Sequence, residues 1–539
     1  MQHTPSRRTF LQMAMAAGAG ALAGKHAWAR TASGKKPNIL IIMADDMGWS
    51  DAGCYGGEIT TRHLDGLAAN GLRFTQYYST ARCWPSRACI LTGYYAQQVR
   101  MDPPKPPLPA WARVLPHYFK PAGYRCYHSG KWHLAGAPKA VADGGFDHSY
   151  LLKDHDRFFS PKKHFLDDEP LPPIEDDSDF YVTTHIADHN IECLQDHAKN
   201  HPDTPFLSYL AFTSPHFPLH ALQDDIDRYR ELYKKGWDAV RQERLERQHD
   251  LGLLDAGLSE RQPDVVPPWN LSEEELQEMI GPGEAGHAVA WDSLTEEQKD
   301  LQATKMAIHA AMVDRMDRDI GRVLDQLKAM GAYDDTIVVF MSDNGASAEQ
   351  IIRGDMHDKE APLGSAESYL CLGPGWSTAA NTPFRYHKHW VHEGGCASPL
   401  IVHWPNGGLP AGALRTTPGH FIDLLPTMLE VSGIDPEMQW QGEEPPPFPG
   451  KSLVPAFQDD VRIDRGFLYW HHQGNRAYRE GDWKIVAPGK DAPWELYNMA
   501  EDRAETNDLA AKHPEKVAAM AAAWQKKDTL FRQQAGYDS

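Results

Sequence analysis

Cys83 opens the segment Cys83-Trp84-Pro85-Ser86-Arg87-Ala88-Cys89-Ile90-Leu91-Thr92-Gly93, and the spacing suggests chemistry. A proline two residues after the cysteine suits the first turn of a helix, and Gly93 suits its end. Cys83 then sits at a helix N-terminus, where free N–H groups and the dipole favour anions. Arg87 shares its face, one turn on. Such a cysteine could act as a thiolate, because these positions lower a thiol's pKa. An arbitrary free cysteine is more often buried and inert. Two further pairs, Asp45-Asp46 and Asp343-Asn344, offer oxygen ligands. Three carboxylates and an amide oxygen make a hard site that points to Ca²⁺, with Mg²⁺ second, rather than zinc. An isolated Asp-Asp is more often a loop or helix-cap acid. Here each pair follows a run that reads as a buried strand.

Those runs are Asn38 to Ala44 and Thr336 to Ser342. Continuous apolar, β-branched stretches of this length are expected in parallel strands buried on both faces. Ligands of open α/β sheets bind beyond the carboxyl ends of such strands. Pro205 to Phe212, ending near His216, and Pro399 to Trp404 read as two more. Lys305 to Met330 carries apolar residues at helical spacing and leads into the Asp343 strand. Asp224 to Asp300 is polar and Glu-rich and reads as a helical insertion without chemistry of its own. Pro445 to Gly450 marks a boundary. Beyond it, short strand-like pieces and a helix from about Pro514 to Phe531 suggest a small antiparallel sheet closed by a helix. The expected fold is α/β: a large, mostly parallel mixed sheet flanked by helices over 36–445, with a C-terminal subdomain over 451–539.

The chain has 539 residues and a formal net charge of −20. A field of that sign disfavours nucleic acid and anionic lipid as partners, yet a local cation cluster can still receive an anionic substrate. Arg7-Arg8, an Ala/Gly-rich stretch and Ala27-Trp28-Ala29 read as a twin-arginine signal peptide over 1–29. The expected location is therefore outside the cytoplasm, periplasmic or secreted, after passage through the twin-arginine export machinery. The apolar stretch is too short to span a bilayer, so no stable membrane insertion is expected. Seven cysteines (54, 83, 89, 126, 193, 371, 396) form no zinc-ligand spacing and leave at least one unpaired.

Cys83-x-Pro85-Ser86-Arg87 followed by Leu91-Thr92-Gly93 resembles the signature of the type I sulfatases, members of the alkaline-phosphatase-like superfamily. Asp45-Asp46, Gly130-Lys131-Trp132-His133-Leu134, Pro215-His216-Phe217-Pro218, Asp343-Asn344-Gly345, Thr382 to Lys388 with Glu393-Gly394-Gly395, and Trp494 to Asn498 resemble further family blocks in family order. The resemblance implies that a maturation enzyme oxidises Cys83 to formylglycine. It implies a Ca²⁺ held by Asp45, Asp46, Asp343, Asn344 and the modified residue 83. The hydrated aldehyde would attack sulfur, with Asp343 accepting its proton. Arg87, Lys131 and Lys388 would surround the sulfate, and His216 or Lys388 would protonate the leaving alcohol. His133 would then take a proton so that sulfate is expelled and the aldehyde re-forms. Chemical context leaves His220 and His392 as candidates for lining the pocket. Trp84 fills the motif's variable position and Ala135 stands where many relatives carry Gly.

The substrate class so implied is an aryl or carbohydrate sulfate, from a small molecule or a glycan. The rival within the superfamily is a phosphatase or phosphonate hydrolase, which typically carries Thr or Ser and His-rich zinc sites. A cysteine phosphatase is excluded because three residues, not five, separate Cys83 from Arg87. A non-catalytic protein binding sulfated glycans would keep Cys83 unmodified.

Overall fold

The computed structural model describes residues 35–175, 179–354, 356–436 and 440–537. The expected signal peptide over 1–29 lies outside the described residues, so its reading is neither extended nor revised by the structure. No described helix is long and apolar enough to cross a membrane.

The main sheet contains β1 (Asn38–Ala44), β2 (Leu72–Tyr78), β3 (Arg125–Lys131), β4 (His148–Leu152), β5 (His164–Leu166) and β6 (Glu169–Pro170). It continues with β7 (Phe206–Ala211), β8 (Thr336–Ser342), β9 (Ala397–His403), β10 (Ala413–Arg415) and β11 (Gly419–His420). Their order is β10-β2-β9-β8-β1-β7-β3-β4-β5-β6, with β11 on β2. The centre, β8-β1-β7-β3-β4, is parallel, while β9 runs antiparallel to both neighbours. This is the mostly parallel mixed sheet that the continuous apolar runs predict.

Side chains alternate across β1. Leu40, Ile42 and Ala44 enter a core under the helices Val182–Asn200 and Glu296–Ala329. Ile39, Ile41 and Met43 enter a second core with Ala88, Ile90 and Leu91 of the helix Cys83–Thr92. Burial on both faces explains why the run shows no polar alternation. The Glu296 helix begins nine residues before the expected Lys305. The Thr295 side chain accepts from the Gln298 N–H, and this capping box carries a polar first turn that an apolar stripe cannot signal. The expected insertion therefore yields its last residues to this helix. Its remainder forms the helices Gly236–Asp250 and Glu273–Met279 with loops between them.

β12 (Leu468–His472), β13 (Asn475–Glu480), β14 (Trp483–Ala487) and β15 (Glu495–Asn498) form the antiparallel C-terminal sheet, covered by the helix Pro514–Gln534. Tyr469, Ile485, Leu496, Trp524 and Phe531 belong to the same core as the Cys83 helix. All seven cysteines are free and buried.

Candidate active site

Register alone brings the acid pairs together. Ala44 on β1 lies opposite Ser342 on the parallel β8, so Asp45-Asp46 and Asp343-Asn344 leave the sheet side by side. β7 flanks β1 on its other side, and the Asp45 N–H donates to Ser214 O at 2.9 Å, close to His216. Next comes β3, which ends in Lys131 and delivers His133 two residues later. Gly130 makes that approach tight: at φ +112° a Cβ there would stand 1.9 Å from Ala211 O. Cys83 is the first residue of its helix, and Gly93 closes it at φ 77°. Ser86 fixes the entry, its hydroxyl accepting from the Thr80 N–H at 3.1 Å. The Lys388 loop is tied to the Asp343 turn by the Lys388 N–H to Ala346 O at 3.0 Å.

Each acid meets a cation. Lys131 Nζ lies 2.5 Å from Asp45 Oδ2, and Lys388 Nζ lies 2.7 Å from Asp46 Oδ2. Arg87 Nε donates to Asp343 Oδ2 at 2.9 Å and its Nη1 to Lys131 O at 3.0 Å. Asp343 Oδ1 accepts the Asp46 N–H at 3.3 Å. Asn344 Nδ2 donates to Asp46 Oδ1 at 2.7 Å. His216 Nε2 stands 3.7 Å from Asp46 Oδ2, while its Nδ1 is bonded to Phe217 O at 2.5 Å. Asp46 (φ 64°), His133 (φ 53°) and His389 (φ 91°) all hold a left-handed backbone, a strain that gathers where side chains must be aimed. The structure thus brings Asp45, Asp46, Asp343, Asn344, Arg87, Lys131, His216 and Lys388 together. Cys83 lies within the field of Lys131, Lys388, Asp45 and Asp343, and the His133 ring adjoins Trp84 at 6.0 Å.

The electrostatics are those of too many acids in one dry place. Burial pushes Asp343 up to about 7, with Asp45 adding to it against Arg87 and Lys131. Burial and Asp45 also raise Asp46, despite Lys388. For Asp45, burial is outweighed by Lys131, Arg87 and Lys388, which hold it below the usual carboxylate range. Burial raises the Cys83 thiol more than Lys131 and Lys388 lower it. The helix terminus therefore does not make Cys83 a thiolate, because desolvation exceeds its pull. Burial and neighbouring lysines keep His133 and His216 well below their ordinary value, hence neutral.

Two buried oxygens in this cluster, Asp45 Oδ1 and Asn344 Oδ1, have no hydrogen-bond partner. Asp45, Asp46 and His216 each bring a ligand atom within 4.8 Å of one another. Unpartnered oxygens amid mutually repelling carboxylates fit a divalent cation with oxygen ligands. His216, expected only as an acid, thus stands beside the acids of this candidate cation site.

Several neighbours escape a reading of the sequence. Glu349 bonds Lys388 at 3.3 Å and Arg82 at 3.1 Å. Trp269, from the insertion assigned no chemistry, donates its indole N–H to Glu349 at 2.9 Å and lies under the Arg82 guanidinium. His155, in the loop after β4, packs between His133 and His216, its ring centre 5.4 Å from each. Only the tertiary fold juxtaposes these side chains, so no local signal marks them. His220 instead bonds Ser368 O at 2.6 Å, and His392 pairs with Glu495 at 3.2 Å. Neither lines the cavity of about 680 Å³ that opens beside Lys131 and His133.

Comparison with known proteins bears on the site. A family model described as Sulfatase matches residues 37–434. An uncharacterized sulfatase of Schizosaccharomyces pombe is 32% identical, covering 92% of this chain and 94% of its own. An arylsulfatase of Klebsiella aerogenes is 29% identical, covering 79% and 93%. Among solved structures, a protein in complex with its substrate D-glucosamine-2-N,6-O-disulfate superposes with a TM-score of 0.63 at 21% identity, covering 93% and 99%. A phosphonate monoester hydrolase from Silicibacter pomeroyi superposes at 0.57 with 20% identity, covering 92% and 95%.

Proposed function

The chain belongs to the sulfatase family and is a sulfuric ester hydrolase, and from that premise we propose that it works through formylglycine at Cys83 beside a bound Ca²⁺. One observation carries the reading: two parallel strand tips present unpartnered buried oxygens next to a cysteine that is not an activated thiolate. Asp45, Asp46, Asp343 and Asn344 would hold the cation, with residue 83 completing its shell, and Mg²⁺ is second choice to Ca²⁺. The cation would supply Lewis-acid polarisation of sulfate oxygens and neutralise the acids. Formylglycine, made by a maturation enzyme, would supply a hydrated aldehyde: one hydroxyl to attack and another through which sulfate is released.

The chain's own residues do the rest. With the acids neutralised, Arg87, Lys131 and Lys388 are free to turn to the sulfate, where negative charge spreads. Asp343, adjoining Arg87, accepts the attacking hydroxyl's proton. The leaving alcohol takes its proton from Lys388 or His216. A neutral His216 donates its Nδ1–H to Phe217 O and has a bare Nε2, so it must gain a proton there before it can give one. Lys388 grips its proton, since Asp46 and Glu349 together outweigh the effect of its burial and raise its pKa. His133 has a buried Nδ1 without a partner and takes the last proton. His155 positions both imidazoles through ring packing.

Residues 36–445 would form the catalytic domain and 451–539 a supporting subdomain. The paired arginines support export to the periplasm or beyond, folded and already modified. The shared fold keeps a phosphonate ester hydrolase as the second reading. The test uses protein whose Cys83 peptide shows conversion by mass spectrometry, offered aryl sulfates, sugar sulfates and phosphonate esters. Sulfate release that EDTA stops and Ca²⁺ restores is expected. Faster turnover of phosphonate esters, or no dependence on conversion of Cys83, contradicts the proposal.

A further inference from the structure

The cavity of about 680 Å³ beside Lys131 and His133 is large enough for a drug-sized ligand. Beyond those two residues its wall includes the apolar side chains of Trp84, Met101, Leu151, Leu152 and Phe165, together with His155, whose Nδ1 already bonds Lys153 O at 3.3 Å. Its other charged side chains offer a ligand little. Lys139 and Lys153 are exposed, so their ammonium groups stay in water. Asp168 already accepts the backbone N–H groups of Val141 at 3.1 Å and Ala142 at 2.7 Å. Trp84 adds an indole N–H without a partner. A pyranose needs partners for several hydroxyls, and each hydroxyl buried without one costs free energy.

We infer that the alcohol released is an extended apolar one, so that the preferred substrates are sulfate esters of apolar alcohols rather than of sugars. This rests on the sulfatase reading and specifies the leaving-group side of the same site. The ester's sulfur–oxygen bond breaks, water supplies the oxygen added to sulfate, and the alcohol leaves with a proton. Trp84 and His133 mark the passage from the sulfate position to the cavity, since they touch each other and both line it. Trp84, at the motif's variable position, thereby becomes a specificity-determining residue.

The test compares linear alkyl sulfates of increasing length, below their micellar concentrations, with N-acetylglucosamine 6-sulfate on converted enzyme. kcat/KM should rise about fourfold per added methylene until the chain outgrows the cavity. Trp84→Ser and Phe165→Ser should each flatten that slope. A flat series with the sugar sulfate turned over faster overturns the inference, as does an unchanged slope in both variants. Calorimetric binding of the same alkyl sulfates to the Cys83→Ala protein separates the two claims. Length-dependent binding without turnover of any ester by converted enzyme would refute the hydrolytic mechanism and leave the apolar site standing. Length-independent binding would refute the site alone.

Discussion

Lys131 and Asp45 are both buried and 2.5 Å apart, so neither charge is tolerable without the other or a substitute. Lys131→Met should therefore cost about 3–5 kcal/mol in EDTA-treated protein. In Ca²⁺-saturated protein the loss should be clearly smaller, because the cation takes over Asp45. Urea unfolding under both conditions measures the difference. The same variant should lower kcat about 10²–10³-fold, as losing one stabiliser of developing charge does. His155→Ala should lower kcat/KM by about 10-fold, short of the about 10²-fold cost of misplacing a catalytic group. These residues were unequally legible. Asp45, Asp46, Asp343 and Asn344 stand out because each pair ends a buried strand. Glu349 and His155 do not, because their loops are brought to the site only by packing. For the Cys83 thiol the sequence left a thiolate and a buried, inert cysteine both open, since it displays a helix start but not the depth of burial.

At the scale of elements, adjacency in the sheet makes the site. β1 and β8 match the expected runs residue for residue, because strands covered on both faces keep an unbroken apolar interior between their end residues. The start of the long helix at Glu296 was hidden because its first turns are polar and rest on a cap. Gly130 is where β3 can least change. Gly130→Ala would press a Cβ into Ala211 O and force a left-handed backbone, at a cost of about 2 kcal/mol or more. The expected result is a lower thermal midpoint together with a larger fall in kcat than in KM, since Lys131 and His133 follow directly. Unchanged stability would show that β3 has room to shift. Trp269 reaches Glu349 from the insertion, so that segment, read as chemically silent, buttresses Lys388 through one intermediary.

The whole molecule is joined by a buried ion network between the main sheet's loops and the C-terminal subdomain. Lys484 on β14 pairs with Glu393 at 2.9 Å and Glu505 at 2.8 Å, and Arg503 meets Glu393 at 3.0 Å. Burial would raise the Glu393 carboxyl, but Lys484 and Arg503 outweigh it and hold it at about 2, against 4.5 ordinarily. A depressed carboxyl pKa stabilises the fold above the ordinary value, and that stability is lost as pH falls towards the folded one. Stability should therefore decline from pH 4.5 towards 2, with a shallower decline in Glu393→Gln. Lys484→Met should cost about 3–5 kcal/mol at neutral pH by leaving buried Glu505 without its cation and Glu393 with Arg503 alone. This network was not legible in the sequence, because its members are scattered from Glu393 to Glu505.

Calorimetric titration of metal-stripped protein with Ca²⁺ measures whether the two strand tips hold one divalent cation beside Cys83. One Ca²⁺ per chain is expected, bound more tightly than Mg²⁺, with binding lost in a folded Asp46→Ala variant. A folded, stripped protein that binds no Ca²⁺, or an Asp46→Ala variant that binds it unchanged, would contradict it.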